Sequence, residues 1–187
     1  MVQYHNKTAF SGMSLEQIKE WINLYQDRLV GSAIFTYNNT LGSKVVRWGE
    51  QHLFAKSNKH GGFVPSHTGS IIYYNNEVYI FDMKPPRASI QRLDNYLYST
   101  DETYVLVLRD FPLDTRMFSL NCLDHVGESY PYLSAIRSVF TKRESKFSRH
   151  CSEFHLRQLQ RQGILTDVNP EITPDELYRL LIKRGDK

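Results

Sequence analysis

The stretch Ser66-His-Thr-Gly-Ser-Ile-Ile-Tyr-Tyr-Asn-Asn-Glu-Val-Tyr-Ile-Phe-Asp82 decides how this chain folds. Its β-branched and aromatic runs, Ser70 to Tyr74 and Glu77 to Phe81, flank Asn75-Asn76, a pair that accepts positive φ and closes a tight hairpin. With a two-residue turn Tyr74 pairs with Glu77, and counting outward places Gly69 opposite Asp82. His67 then lies diagonal to Asp82 on the same face. Diagonal neighbours are roughly 7–8 Å apart at Cα, within reach of both side chains. The pattern predicts an imidazole with a carboxylate to orient it.

Working outward, Cys151 opens a stretch to Gln162 that lacks Pro and Gly, with Gly163 at a plausible C′ position and Ser148 available as N-cap. A thiol at a helix N-terminus meets unpaired N–H groups that favour an anion, and its ordinary pKa of about 8.5 falls further beside an imidazolium. The backbone N–H of Cys151 is also a candidate oxyanion donor. Cys151 and His67 thus read as a nucleophile and its base, with Asp82 as the third member. Each residue also has a plainer reading: a hairpin histidine, a small buried hydrophobe, and a cap for the turn before Lys84-Pro85. Glu153, in the first turn, suits the helix dipole at least as well as any catalytic role.

The remaining chain predicts an α+β fold, an antiparallel sheet packed against helices. Leu15, Ile18, Ile22, Tyr25 and Leu29 recur at helical spacing, and Ser14 with Gln17 forms a capping box. Strands are expected near Ala33 to Tyr37, Ser70 to Tyr74, Glu77 to Asp82, Ser89 to Arg92 and Tyr104 to Arg109. Further helices are expected near Thr40 to Ala55, Tyr132 to Thr141 and Cys151 to Gln162. A last one starts at Thr173-Pro-Asp-Glu, a capping box with Pro at N1. The 187 residues suit one domain, with helical segments at 1–30 and 165–187 and a core segment from Phe118 to Val126 around Cys122.

Composition narrows the function classes. A net charge of +3 is spread along the chain, which gives nucleic acid little to hold; the densest run, Arg137 to Arg149, reads as a solvated face. The twelve Tyr and ten Phe fall mostly at core positions. No apolar run is long enough to span a membrane and no export signal opens the chain, so a cytoplasmic protein is expected, or a virion-associated one if the source is a phage. Two cysteines provide no disulfide framework, which suits a reducing compartment, and Cys122 reads as a structural thiol. His60, His67, His150 and His155 raise the question of zinc beside Cys151. The close ligand pairs of a structural site are missing, and adjacent His150 and Cys151 point apart on a helix, so neither metal nor other cofactor is expected.

Several motifs in order resemble the circularly permuted branch of the NlpC/P60 papain-like superfamily, the YiiX/YaeF-like and LRAT-like cysteine hydrolases. Gly31-Ser-Ala-Ile-Phe-Thr is similar to the opening strand and Leu41-Gly-Ser-Lys-Val-Val-Arg-Trp to the helix after it. Ser66-His67-Thr-Gly resembles the His-x-Gly motif, and Tyr79-Ile-Phe-Asp82 the strand ending in the third polar residue. Gly127-Glu-Ser-Tyr130, Cys151-Ser-Glu-Phe and Ile172-Thr-Pro-Asp-Glu-Leu resemble the later elements. Ser32 stands where Asp is common, Asp82 where Glu is usual, His150 where an apolar residue is typical, and 51–64 is a long insertion. The histidine precedes the cysteine, the reverse of the papain order, as a permutation requires.

The resemblance implies a permuted papain-like fold and a hydrolase with Cys151, His67 and Asp82 as its triad. The implied substrates are amide bonds in peptides or peptidoglycan-like stems, or alternatively acyl-lipid esters and thioesters in a thioesterase or acyltransferase. A non-catalytic interaction module on the same scaffold is the third alternative, and the intact triad counts against it.

Overall fold

Asn75 and Asn76 both adopt positive φ, 48° and 61°, the geometry in which a two-residue turn matches the twist of the strands it joins. The register follows: Tyr74 pairs with Glu77 and Ser70 with Phe81, as the sequence predicts. This computed structural model describes residues 4–37, 44, 63–84, 86–129 and 151–185. The helices expected at Thr40 to Ala55 and Tyr132 to Thr141, together with His60, Tyr130, Ser148 and His150, lie outside the described residues apart from Lys44.

The hairpin, β3 (His67–Tyr74) and β4 (Glu77–Asp82), is the centre of a six-stranded sheet. The other strands are β1 (Tyr4–Asn6), β2 (Ala33–Tyr37), β5 (Ser89–Arg92) and β6 (Thr103–Val107). Their order is β1-β6-β2-β3-β4-β5, and every neighbouring pair is antiparallel. β3 is longer than its apolar run because Thr36 of β2 pairs with His67. The candidate base is therefore the first residue of a paired strand, not a loop residue ahead of one. The N-terminal segment, expected to be helical, also supplies β1 as an edge strand against β6.

Helices cover both faces. On one lie α1 (Leu15–Leu29) and α2 (Leu93–Ser99), whose Ile18, Ile22, Leu29, Leu93 and Leu97 pack on Ile34, Ile71, Ile80 and Leu106. On the other lie α3 (Thr115–Leu123), α4 (Cys151–Gln160) and α5 (Pro174–Gly185). Their Phe118, Cys122, Phe154, Leu159, Leu177 and Leu181 join Phe35, Ile72, Phe81 and Val105. Burial on both faces explains why β2 reads Ala-Ile-Phe-Thr-Tyr, an unbroken run without polar alternation. Gly69 sits where close packing leaves no room: a Cβ there would be 2.8 Å from Ile80 Cγ2 and 3.0 Å from Ile34 Cγ2.

Local signals set the helix ends. Ser14 and Gln17 form the predicted capping box at α1. At α5 Thr173 and Glu176 do the same, each side chain accepting from the other's backbone N–H, with Pro174 as the first helical residue. α4 ends in a Schellman motif: Gly163, at φ 77°, donates to Gln160 O and Ile164 N–H to Leu159 O. Ser32, in the position where the resembled family often has Asp, ties α1 to β6: its hydroxyl donates to Arg28 O at 2.6 Å and accepts from Arg109 N–H at 2.9 Å.

Candidate functional site

His67 and Asp82 meet as the hairpin register predicts. His67 Nε2 is hydrogen-bonded to Asp82 Oδ1, and both side chains are largely enclosed. By register they share the α1/α2 face of the sheet, whereas Cys151 comes from α4 on the opposite layer and meets the imidazole at His67, the first residue of β3. Neither periodicity nor spacing announces this approach, because it depends on how α4 docks.

The thiol is nearly buried, at 6% exposure, and burial by itself would raise its pKa. The facing His67 imidazolium, through its charge and a hydrogen-bonding interaction, and the backbone N–H groups of Thr68 and Ser152 reverse that and hold the thiol below its ordinary value. His67 shows the mirror effect. Burial pulls it down, yet the Cys151 and Asp82 charges and the bonds to both raise it to about 10. Asp82 is in turn kept ionised: burial would raise its pKa, but His67 and Lys84 outweigh it. All three shifts run towards the charged form of each group, thiolate, imidazolium and carboxylate.

Two groups that sequence reading missed extend the line. Lys84 Nζ lies 2.7 Å from Asp82 Oδ2 and 3.6 Å from Glu102 Oε1, and Glu102 Oε2 accepts a 2.6 Å bond from Tyr96 OH. Lys84 stands two residues after Asp82 and so keeps its side of the chain in extended backbone; that parity was the available signal. Glu102, before β6, left none.

Glu153, His155 and Cys122, weighed from sequence, and Ser152, which was not, make structural contacts. Glu153 accepts from Arg157 Nε at 2.7 Å, one turn along α4. Ser152 Oγ donates to Ile172 O at 2.5 Å and so fastens α4 to the segment before α5. His155 shares a 2.8 Å hydrogen bond with Ser70 through Nδ1 and meets Phe118 edge-on. Burial lowers its pKa to about 4, so it is neutral at pH 7. Cys122 is fully buried in α3, and burial pushes its thiol well above the ordinary value. Among the described residues no cluster of three or more His, Cys, Asp or Glu is placed to hold a metal, and no helix is long and apolar enough to cross a membrane.

No protein-family model matches this chain, and no curated protein is significantly similar to it in sequence. The chemistry open to the site is therefore argued from its own residues. A buried thiolate in contact with an imidazolium, itself held by a carboxylate, is suited to attack an electrophilic carbonyl and to protonate what leaves.

Proposed function

We propose that the protein is a cysteine hydrolase that cleaves an amide bond in a peptide or peptidoglycan-like substrate, on a permuted papain-like scaffold. The observation that carries this reading is the continuous line Cys151, His67, Asp82, with the thiol pKa lowered and the imidazole raised despite burial. The motif likeness to circularly permuted NlpC/P60 hydrolases points the same way.

On this reading the Cys151 thiolate attacks the amide carbonyl carbon, and the developing oxyanion is met by the backbone N–H of Cys151 at the start of α4. His67 passes its proton to the leaving nitrogen as the C–N bond breaks, which leaves a thioester and a neutral ring. The ring then takes a proton from water as that water attacks the thioester, and the acid product leaves with the thiolate restored. Asp82 holds the ring in the orientation both steps need and stabilises its charged form.

The test is Cys151→Ala with an electrophilic peptide probe, run beside an acyl thioester probe. The expected result is complete loss of covalent capture with an unfolding midpoint near that of wild type, because removing one sulfur costs only about 1 kcal/mol when His67 keeps Asp82. Undiminished capture in the variant, or no capture by wild type of either probe, would overturn the reading. Capture of the thioester alone would move the substrate class from amides to acyl esters.

A further inference from the structure

We propose that Lys84 is a positioning residue of the candidate triad: its ammonium clamps the second oxygen of Asp82 and closes an alternating charge chain that runs Cys151, His67, Asp82, Lys84, Glu102. This rests on the cysteine hydrolase reading and extends it beyond three residues.

The geometry assigns each carboxylate oxygen of Asp82 one partner. Oδ1 faces His67 and Oδ2 faces Lys84 at 2.7 Å, so the carboxylate cannot rotate without losing one of them. Lys84 is itself held from behind by Glu102 at 3.6 Å, and Glu102 is held by Tyr96 OH at 2.6 Å and by its own backbone N–H on Thr100 Oγ1 at 3.2 Å. The clamp is thus built from three separate elements: the end of β4, α2 and the turn before β6. A surface lysine making a chance ion pair needs no such backing.

The titratable groups facing this chain are His67 from β3, Asp82 from β4, Tyr96 from α2, Glu102 from the turn before β6 and Cys151 from α4. Tyr96 is neutral, its phenol pushed up by burial and by Glu102. An ammonium fixed on Asp82 offsets part of the carboxylate charge that His67 meets, and so lowers the pKa of the imidazole and of the thiol beyond it. Lys84 therefore does two jobs: it fixes Asp82, and it limits how tightly the carboxylate grips the proton of His67. A ring that holds its proton too tightly is a poor acid for the leaving group.

The test is the rate of Cys151 alkylation by iodoacetamide against pH, followed by mass mapping, in wild type, Lys84→Met, Lys84→Arg and Glu102→Gln. Two inflexions are expected in wild type, the lower well under the ordinary thiol value of about 8.5 and the upper where His67 deprotonates. In Lys84→Met both move up by about one pH unit, since the cation that offsets the Asp82 charge has gone. Lys84→Arg keeps the wild-type curve, and Glu102→Gln shifts it the other way, to lower pH. Lys84 is partly exposed, so its replacement leaves the core intact, and Glu102→Gln gives an independent sign. A Lys84→Met curve superimposed on wild type, or an Arg variant matching Met, would overturn the assignment. A wild-type curve with one inflexion near about 8.5 would instead sink the hydrolase reading, before any variant is compared.

Discussion

His67 and His155 meet the same short stretch where α4 lies against β3, both with little access to water, and they end in opposite charge states. His155 has a neutral hydroxyl, Ser70, for a partner, and burial takes its pKa down to about 4. His67 has a thiolate on one side and a carboxylate on the other, and rises to about 10. The two thiols repeat the contrast. Cys122 lies among apolar side chains and is held protonated; Cys151 faces an imidazolium and two N–H donors and is shifted towards the thiolate. Burial alone drives a group towards its neutral form, as in His155 and Cys122, and charged partners reverse the sign, as in His67 and Cys151.

The largest effect expected from this contrast is between the thiols. Iodoacetamide at pH 7 is expected to alkylate Cys151 at least about a hundredfold faster than Cys122, the difference in thiolate fraction. Mass mapping after a brief exposure checks it. Comparable labelling of both would erase the distinction on which the site rests.

The histidines come next. His67→Gln is expected to slow Cys151 alkylation at pH 6 by about ten- to a hundredfold, because the thiol returns towards its ordinary pKa. His155→Gln is expected to leave that rate alone and to lower the unfolding midpoint by about 3 °C, the loss of one buried hydrogen bond and its packing. The reverse pattern would mean that the roles have been exchanged. For Asp82→Asn, a smaller change is expected: probe capture slower by about tenfold with the circular dichroism spectrum unchanged, since ring orientation weakens while the hairpin remains.

The elements legible in the sequence were those with local causes. The Asn75-Asn76 turn set the hairpin register, and with it the contact between His67 and Asp82. The Ser14 and Thr173 capping boxes and Gly163 marked α1, α5 and the end of α4. β1 was missed because three residues with no alternation form a strand only when β6 is there to pair with them. α2 was missed because Arg92 provides no side-chain cap. In α3, Phe118 and Cys122 read as core without revealing a helix, although Asp114 accepts from Met117 N–H as an ordinary N-cap and was available as a signal. For the site, the residue types were legible, and the arrival of α4 from the opposite layer was not. Lys84 and Glu102 come together only through the tertiary fold.

The smallest effects are on stability against pH, and they have opposite signs for the two histidines. The lowered value of His155 contributes stability that is intact above its unfolded pKa of about 6.5 and is lost as pH falls towards about 4. The raised value of His67 contributes stability that is intact below about 6.5 and is lost as pH rises through about 10. Urea midpoints are expected to fall at both ends, with His155→Gln flattening the acid side and His67→Gln the alkaline side. A variant that flattens the wrong side would break the comparison.

The ionisation of Cys151 is the central claim, and the most direct measurement is the ultraviolet thiolate band of wild type minus that of Cys151→Ala, recorded from pH 4 to pH 10. The expected difference band develops below the ordinary thiol range, because the imidazolium and the N–H groups of Thr68 and Ser152 favour the anion. A band that appears only as pH passes about 8.5, the ordinary thiol value, would contradict it.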